Sequence, residues 1–221
     1  MTRSQTEVAQ RIEQTAVLPV LRLGSPAFAE RAVSALLDGG ITVFEVTLTI
    51  PGALGVIGAL GSRLGDRALI GAGTVLTADE ARACLDAGAH FIVSPGLDAG
   101  VVAAAHDRDV VVIPGALTPT EVMAATAMGA DFVKIFPCSA VGGAKYVRAL
   151  RAPFPHVKLV PTGGVTAATA VDYLDAGATA IGLGSDFVND KTLEQPDGDE
   201  VLAERARQVI EAIRARRVGP S

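Results

Sequence analysis

One lysine of this chain, Lys134, lies in the middle of an apolar stretch that covers residues 132–136. The stretch is typical of a short buried strand, and Pro137 ends it at once. Because an unpaired ammonium group is costly to bury, a lysine at such a position needs either an exit to solvent or a chemical use. Its side chain either extends out of a barrel mouth or serves as a Schiff-base nucleophile, and spacing alone leaves both interpretations open.

A carboxylate, Glu45, lies in a second strand-like run, residues 42–48. Successive strand residues point to opposite faces, and the flanking Phe44 and Val46 suit a face that packs against helices. Glu45 is therefore expected to point into the interior of the fold, and the same alternation turns Lys134 inward. An acid and a lysine in one closed interior form either a structural ion pair or a proton-transfer pair, and we favour proton transfer.

Two glycine-rich turns follow the last two strand-like runs, and each is expected to lie just before a helix. The turns are Pro161-Thr162-Gly163-Gly164-Val165-Thr166 and Gly182-Leu183-Gly184-Ser185-Asp186. Glycine lets main-chain N–H groups approach an anion, and a helix N-terminus adds a favourable dipole. One such turn is most often only a tight bend, but two turns at the ends of the last two strands are typical of phosphate sites in barrels. Together they predict a phosphate-binding site.

Other residues at predicted strand ends have simpler interpretations. Thr74, taken by itself, is better explained as the cap of a helix that begins near Thr77. Ser94-Pro95-Gly96 and Ile113-Pro114-Gly115, at the ends of the fourth and fifth strands, are first turns and only second pocket walls. Cys138 is better explained as a small buried residue than as a nucleophile, because no histidine lies beside it in sequence. The three histidines have neither metal-ligand nor triad spacing, so no metal site is predicted.

The elements that must position these residues alternate regularly along the chain. Eight strand-like runs alternate with alanine-rich amphipathic segments, and each run is continuous in Val, Ile and Leu, as expected of a parallel sheet covered on both faces. The runs are residues 16–22, 42–48, 68–72, 90–94, 110–113, 132–136, 157–160 and 180–183. Eight such units predict an α/β fold of the (β/α)8 TIM-barrel type rather than an open doubly wound sheet, with the active site at the C-terminal strand ends.

Length and composition set further limits. The 221 residues fit one barrel domain over 1–221, with an N-terminal helix in 1–15, a loop at 189–199 and a final helix at 200–216. A net charge of -5 argues against a nucleic-acid partner. No apolar run approaches the ~20 residues that span a membrane, so no membrane association is expected. Two cysteines form no disulfide framework, which favours a reduced, cytoplasmic setting.

Five motifs carry a resemblance to a known family. They are Glu45-Val46-Thr47-Leu48, Gly71-Ala72-Gly73-Thr74-Val75-Leu76, Phe91-Ile92-Val93-Ser94-Pro95-Gly96, Lys134-Ile135-Phe136-Pro137 and Pro161-Thr162-Gly163-Gly164. In order and spacing, from about residue 16 to 188, they resemble the 2-keto-3-deoxy-6-phosphogluconate aldolases, a family that includes 4-hydroxy-2-oxoglutarate and 2-keto-3-deoxy-6-phosphogalactonate aldolases. The resemblance implies a homotrimeric barrel with class I chemistry, without metal or cofactor, that cleaves a phosphorylated keto acid to pyruvate and glyceraldehyde 3-phosphate.

The resemblance also implies roles for individual residues. Lys134 is similar to the Schiff-base lysine, Glu45 to the proton shuttle, and Thr74 to a residue that contacts the keto acid. The remaining positions match the phosphate end (Thr162, Gly163, Gly164, Gly184 and Ser185), the pocket wall (Pro95) and the apolar surround of the lysine (Phe136).

One position departs from the gluconate enzymes. They carry an arginine directly after the Glu-Val-Thr-Leu motif, where it binds the pyruvyl carboxylate, and this chain has Thr49. A threonine hydroxyl cannot supply a charged, bidentate grip. We predict that Arg22, at the end of the first strand, supplies the charge. The galactonate enzymes look similar here, with an arginine on strand one, a polar uncharged residue near position 49 and a Gly-Leu-Gly-Ser-Asp turn. The alternative is a solvated arginine at a strand end.

Two other functions use the same residues. A phosphate-binding barrel isomerase or epimerase would use Lys134 and Glu45 for acid–base chemistry without a covalent adduct. A non-catalytic sugar-phosphate-binding barrel would use the phosphate site alone. The configuration that the aldolase prefers at C4 of its substrate, gluconate or galactonate, stays open at this point, because the Pro161-Thr162-Gly163-Gly164 turn favours the gluconate enzymes and Arg22 favours the galactonate enzymes.

Overall fold

The chain alternates short parallel strands with helices. A computed structural model describes residues 3–218, and the side chains up to Arg217. The strands are β1 Val17–Leu21, β2 Val43–Thr47, β3 Leu69–Gly73, β4 Phe91–Val93, β5 Val111–Ile113, β6 Gly115–Ala116, β7 Val133–Ile135, β8 Leu159–Pro161 and β9 Ile181–Leu183. Each strand except β6 lies at a run expected from sequence, with ends that differ by one or two residues.

Within residues 3–218, six helices begin after a residue whose side chain accepts a hydrogen bond from the first turn. The helices are α1 Gln5–Thr15, α2 Pro26–Asp38, α3 Ala53–Leu64, α4 Ala78–Asp86, α5 Ala99–His106, α6 Pro119–Ala127, α7 Ala144–Arg151, α8 Ala170–Asp175, α9 Asp190–Leu193 and α10 Gly198–Val218. Capping boxes at Ser4, Thr77 and Thr118 pair the cap hydroxyl with a backbone N–H three residues on, and a glutamate there accepts in return. Each box satisfies backbone donors that the first helical turn leaves unpaired.

The strands form two parallel sheets. The larger is a curled six-stranded sheet in the order β5-β4-β3-β2-β1-β9, and the smaller has the order β6-β7-β8. Pro114 separates β5 from β6, and a proline has no N–H to donate to a ladder. A parallel bridge between Thr162 and Gly182 joins the end of β8 to β9. The predicted parallel α/β architecture is confirmed, while the segment after Ile113 was expected to be a turn and instead contains β6.

Apolar side chains pack in two layers, one on each face of the curled strands. The outer layer lies between strands and helices and includes Phe44 and Val46. The inner layer includes Val43 of β2 and Phe132, which directly precedes β7. Val8 and Ile12 of α1 pack against this inner layer. Alternate strand residues therefore point inward and outward as predicted for these strands.

Three predictions about the chain ends are refined. The segment 189–199, expected to be a loop, contains the short helix α9, because the Asn189 side chain accepts a hydrogen bond from the Thr192 N–H and caps it. The final helix begins at Gly198 rather than Glu200 and continues to Val218. The N-terminal helix begins at Gln5, and residues 1–2 lie outside the described part of the chain. Among residues 3–218, none of the helices combines the length and apolar character needed to cross a membrane.

Candidate active site

Lys134 and Glu45 meet inside the curled strands. Lys134 is central in β7 and 5% exposed, and Glu45 is central in β2 and 2% exposed. Their Nζ and Oε1 atoms lie 3.5 Å apart. In the described part of the chain, Oε1 of Glu45 is a buried atom without a hydrogen-bond partner. A buried carboxylate oxygen that faces an amine, with acceptor capacity unused, is able to take up a proton or to bind a substrate hydroxyl.

A glycine in β3 leaves the space that the Glu45 carboxylate fills. Thr47 is paired with Gly73 in the parallel register of β2 and β3, so Gly73 lies beside this part of β2. A Cβ added to Gly73 would lie 2.6 Å from the carboxyl carbon of Glu45 and closer still to Oε1. Sequence reasoning assigned no role to Gly73. Its only local signal is a glycine at a strand end, which does not reveal that the neighbouring strand directs a carboxylate at it.

A cavity of about 450 Å³ opens beside Lys134 at the C-terminal ends of the strands. The predicted site residues that line it, besides Lys134, are Arg22, Thr74, Pro95, Phe136, Thr162, Gly163, Gly164, Gly184 and Ser185. Three lining residues had no role assigned to them individually, namely Val20, Val165 and Asp186. Val165 and Asp186 belong to the two glycine-rich turns, so their place in sequence was the available signal. The cavity thus brings a lysine, an arginine, hydroxyl groups and glycine backbone together.

Arg22 and Thr74 lie together at the cavity wall. Nη2 of Arg22 donates a hydrogen bond to Oγ1 of Thr74 at 3.2 Å. Thr74 has a φ of 58°, a left-handed conformation that is uncommon for a threonine and often marks a functional position. The interpretation of Thr74 as a helix cap is wrong, because Thr77 caps α4. Thr49 is exposed, does not line the cavity, and shares a hydrogen bond of 2.7 Å with the Thr47 hydroxyl.

The two glycine-rich turns supply unpaired backbone donors. Gly163 and Gly164 have φ values of 86° and 73°, a conformation that favours glycine. In the described residues, no hydrogen bond uses the amide N–H of Gly163, Gly164 or Ser185. The first turn leads into helical structure as expected, because Thr166 caps a 3-10 turn at Ala167–Thr169 that continues into α8. The second turn does not, since α9 begins only at Asp190. The free amides of both turns are available to an anion.

Aromatic and thiol groups complete the surroundings of the lysine. Nζ of Lys134 lies 5.6 Å from the centre of the Phe136 ring, within the range of a cation–π contact. Cys138 is buried, and burial raises the pKa of its thiol to about 11. A thiol with that pKa stays protonated at neutral pH and is a poor nucleophile. Lys134 is therefore the better nucleophile at this edge of the fold.

The family model for KDPG and KHG aldolases matches residues 8–204. The chain belongs to this family. Among the relatives of this aldolase chain is a 2-dehydro-3-deoxy-phosphogluconate aldolase of Pseudoalteromonas atlantica, 35% identical over 211 residues, which cover 95% of this chain and 97% of the relative. A 2-dehydro-3-deoxy-6-phosphogalactonate aldolase of Escherichia coli is 37% identical over 77% of this chain and 83% of its own.

A solved structure extends the similarity of this aldolase chain to three dimensions. It is a KDPG aldolase from Legionella pneumophila with pyruvate captured as a covalent carbinolamine intermediate. The two chains are 32% identical, with a TM-score of 0.83 over 91% of this chain and 97% of the other. The identification of the family from sequence motifs is confirmed, and with it the expectation of an aldolase.

Proposed function

We propose that this aldolase cleaves 2-keto-3-deoxy-6-phosphogluconate to pyruvate and glyceraldehyde 3-phosphate through a Schiff base on Lys134. The observation that carries the proposal is the buried pair of Lys134 and Glu45, 3.5 Å apart beside a cavity lined by free backbone amides. Distances between catalytic groups are often long in substrate-free sites and shorten when substrate binds. Two relatives that are named 2-dehydro-3-deoxy-phosphogluconate aldolase support the same activity.

Lys134 acts first as a nucleophile. A proton shift from Nζ to Glu45 leaves a neutral amine, whose lone pair adds to the C2 ketone of the substrate. Glu45 returns the proton as the C2 oxygen leaves as water, which converts the carbinolamine to an iminium. The free lone pairs of Glu45 Oε1 suit this work, because the carboxylate faces the amine and no other residue of the described chain occupies that oxygen.

The iminium then makes carbon–carbon cleavage possible. As the C4 hydroxyl gives its proton to the Glu45 carboxylate, the electrons of the C3–C4 bond move into the iminium, and glyceraldehyde 3-phosphate departs. An enamine of pyruvate remains on Lys134. Protonation at C3, in which Glu45 delivers the proton, and hydrolysis of the resulting iminium release pyruvate and restore the amine.

The two ends of the substrate need different partners. Arg22, with Thr74, binds the carboxylate beside the ketone, since it is the cation that shares the cavity with Lys134. The amides of Gly163, Gly164 and Ser185 and the hydroxyl of Thr162 bind the phosphate, with Pro95 and Phe136 as the wall. Thr49 binds neither end of the substrate, because its side chain is exposed and shares a hydrogen bond with the Thr47 hydroxyl.

The configuration at C4 separates the gluconate and galactonate substrates, and relatives of both kinds exist. The gluconate relative is matched over 95% of this chain and the galactonate relative over 77%, which supports gluconate. Cleavage of the related 4-hydroxy-2-oxoglutarate uses the same lysine chemistry. Rates of cleavage of the two C4-epimeric phosphorylated acids, with chiral analysis of the aldehyde product, decide the preference. A higher kcat/KM for the galactonate epimer would overturn it.

The fold that carries this chemistry is, we infer, one closed (β/α)8 barrel domain spanning residues 1–221. Strands β5 and β6 follow one another across Pro114 and act as a single strand, with β4 and β7 as its neighbours. The bridge of Thr162 to Gly182 supports closure on the other side. Closure places Lys134 and Glu45 in one interior and gathers the catalytic groups at a single rim.

The chain also forms, we propose, a homotrimer in the cytoplasm. Membership of the aldolase family supports the assembly, and a subunit interface would cover exposed apolar side chains such as Leu76 at 54% and Met123 at 61%. Both cysteines are free thiols, which suits a reduced compartment. Analytical ultracentrifugation is expected to give three times the chain mass of 22.5 kDa. A monomer mass at micromolar concentration would contradict the assembly.

Trapping with pyruvate and borohydride tests the function. Reduction of the iminium converts it to a stable secondary amine, so intact mass is expected to increase by one reduced pyruvyl group, located by peptide mapping at Lys134. Lys134→Met, which preserves length without an amine, is expected to show no adduct and no cleavage. Lys145→Met is the matched control, because Lys145 is exposed on α7.

Failure to form the adduct in the folded wild-type protein would overturn the Schiff-base mechanism. It would favour an isomerase, an epimerase or a binding protein, none of which needs a covalent bond to the lysine. An adduct on another lysine would overturn the assignment of Lys134 while leaving the class of chemistry intact.

A further inference from the structure

The short helix α9 lies between β9 and the long final helix, and hydrogen bonds on two sides hold it in place. The side-chain amide of Asn189, the residue that caps α9, donates to the Ser185 carbonyl at 2.8 Å, and its oxygen accepts from the Thr192 N–H at 3.0 Å. From α10, the Arg205 guanidinium donates to the Phe187 carbonyl at 3.0 Å. The start of α9 is therefore fixed beside the second glycine-rich turn.

The first residue of α9, Asp190, binds the loop that carries Arg22. The Gly24 N–H donates to both carboxylate oxygens of Asp190, at 3.1 and 3.0 Å. Within residues 3–218, the Asp190 carboxylate makes no other hydrogen bond, and none of the ion pairs includes it. A Cβ added to Gly24 would lie 2.9 Å from Oδ2 of Asp190, so the carboxylate packs directly against the backbone of the loop.

This contact fixes the backbone on one side of Arg22, and a second contact fixes it on the other. The Thr47 hydroxyl donates to the Leu21 carbonyl at 2.8 Å. The guanidinium of Arg22 lies at the end of a long side chain, so a small rotation of the loop backbone causes a larger displacement of the charged group. A displacement of about 1 Å is enough to weaken a directional contact with a substrate carboxylate.

We propose that Asp190 is a positioning residue of this aldolase, which holds the loop of residues 22–25 so that the Arg22 guanidinium meets the carboxylate of the keto acid. The role rests on the proposed function, because Asp190 acts through the arginine to which that function assigns the carboxylate. It also gives α9 a purpose. The helix joins the loop at the carboxylate end of the cavity to the turn of Ser185 at the phosphate end.

The test measures kcat and the KM for pyruvate in the condensation direction for the wild type, Asp190→Ala and Asp190→Asn. Alanine removes both acceptors, whereas asparagine keeps one oxygen that can accept from the Gly24 N–H. We expect Asp190→Ala to raise the KM roughly three- to tenfold and to change kcat by less than about twofold, because the lost contact acts on binding.

Asp190→Asn is expected to restore most of the wild-type KM. Both variants lose the negative charge in the first turn of α9, where it favours the helix. A loss that came only from a less stable α9 would therefore appear in both variants. Rescue by asparagine thus separates the hydrogen bond to the loop from the stability of the helix.

A double variant tests whether Asp190 acts through Arg22. The KM for pyruvate of Arg22→Ala combined with Asp190→Ala is expected to equal that of Arg22→Ala alone, because the loop then has no guanidinium to position. Gly24→Ala disturbs the same contact from the loop side, since its Cβ displaces the carboxylate, and it is expected to raise the KM as well. Gly24 does not have a left-handed φ, so alanine causes no backbone strain there.

Asp199→Ala is the matched control. Asp199 is an exposed carboxylate in the first turn of α10, and it pairs with Arg31 of α2 at 2.9 Å. Its loss makes the same change of net charge and removes a contact between the same two parts of the chain, but Asp199 does not line the cavity. Its KM for pyruvate is expected to equal that of the wild type.

A wild-type KM in folded Asp190→Ala would overturn the proposal, as would an asparagine variant no better than alanine. A double variant whose KM exceeds that of Arg22→Ala by the factor that Asp190→Ala causes alone would overturn it too, and so would an equal rise in Asp199→Ala. If Asp190→Ala does not fold, Gly24→Ala, alone and combined with Arg22→Ala, decides in the same way.

Borohydride trapping keeps these outcomes apart from failure of the proposed function. A wild-type protein that forms the pyruvyl adduct but shows no effect at Asp190 refutes the positioning role alone. A wild-type protein without the adduct refutes the aldolase mechanism on which the role depends.

Discussion

The replacement of Gly73 by alanine tests whether the position of the Glu45 carboxylate limits catalysis. The added Cβ would lie 2.6 Å from the Glu45 carboxyl carbon, where ordinary contact between carbon atoms requires about 3.5–4 Å. The carboxylate must therefore move by about 1 Å. A catalytic group misplaced by 1 Å can lower the rate about a hundredfold. Overpacking of the interior also destabilises the fold, typically by about 1–3 kcal/mol.

We expect Gly73→Ala to fold, with a lower denaturation midpoint, and to lose about a hundredfold in kcat for cleavage. Lys134 keeps its amine in this variant, so borohydride is still expected to trap the pyruvyl adduct, but more slowly. The assay measures pyruvate release together with the rate of adduct formation followed by intact mass. The two readouts separate slow proton transfer from loss of the nucleophile.

Gly71→Ala is the matched control for this variant. Gly71 lies on the same strand two residues earlier, and an added Cβ would overlap the Phe91 ring of the inner apolar layer instead of the carboxylate. We expect a comparable loss of stability and a kcat of the folded protein close to that of the wild type. If Gly73→Ala folds and keeps the wild-type kcat, or if Gly71→Ala loses as much, the reasoning about Glu45 is refuted.

Two further predictions concern binding and pH. Arg22→Ala removes a charged hydrogen-bonding group worth about 1.5–3 kcal/mol, so the KM for pyruvate in the condensation direction is expected to rise roughly tenfold to a hundredfold. Arg148→Ala, at an exposed residue of α7, is expected to leave that KM unchanged, and an unchanged KM in Arg22→Ala would contradict the carboxylate assignment. Burial lowers the pKa of His90 below its usual value, and the nearby cations of Arg3 and Arg11 act in the same direction. Below about pH 6.5 the unfolded chain then binds more protons than the folded one, so the free energy of unfolding falls as the pH drops through that value. Urea unfolding at pH 7 and pH 5.5 is expected to show a loss of up to about 1 kcal/mol that His90→Asn lacks, and the same pH dependence in that variant would disprove the role of His90.

The strands could be predicted because their signal is local. Runs of Val, Ile and Leu mark segments covered on both faces, and eight of the nine strands lie at such runs. The end of β5 before Pro114 was predicted, but the two-residue strand β6 was missed, since two residues carry no period. Two such residues form a strand only where a neighbouring strand offers hydrogen-bond partners. Here the Lys134 N–H of β7 donates to the Pro114 carbonyl.

The candidate site, too, could be predicted only in part from the sequence. The inward direction of Lys134 and Glu45 follows from alternation along each strand, which neighbouring residues reveal. The role of Gly73 was missed, because its contact with a carboxylate is made across two strands.

By itself, the sequence determined that the chain is built of βα units, that a lysine and an acid point inward, and that the chain carries the motifs of an aldolase family. These properties depend on side-chain type and on spacing along the chain. Only the tertiary structure decided that Lys134 and Glu45 lie 3.5 Å apart, and that Arg22 lines the cavity beside Lys134 while Thr49 does not. Those facts depend on how separate strands and loops pack against one another, which residue spacing does not specify.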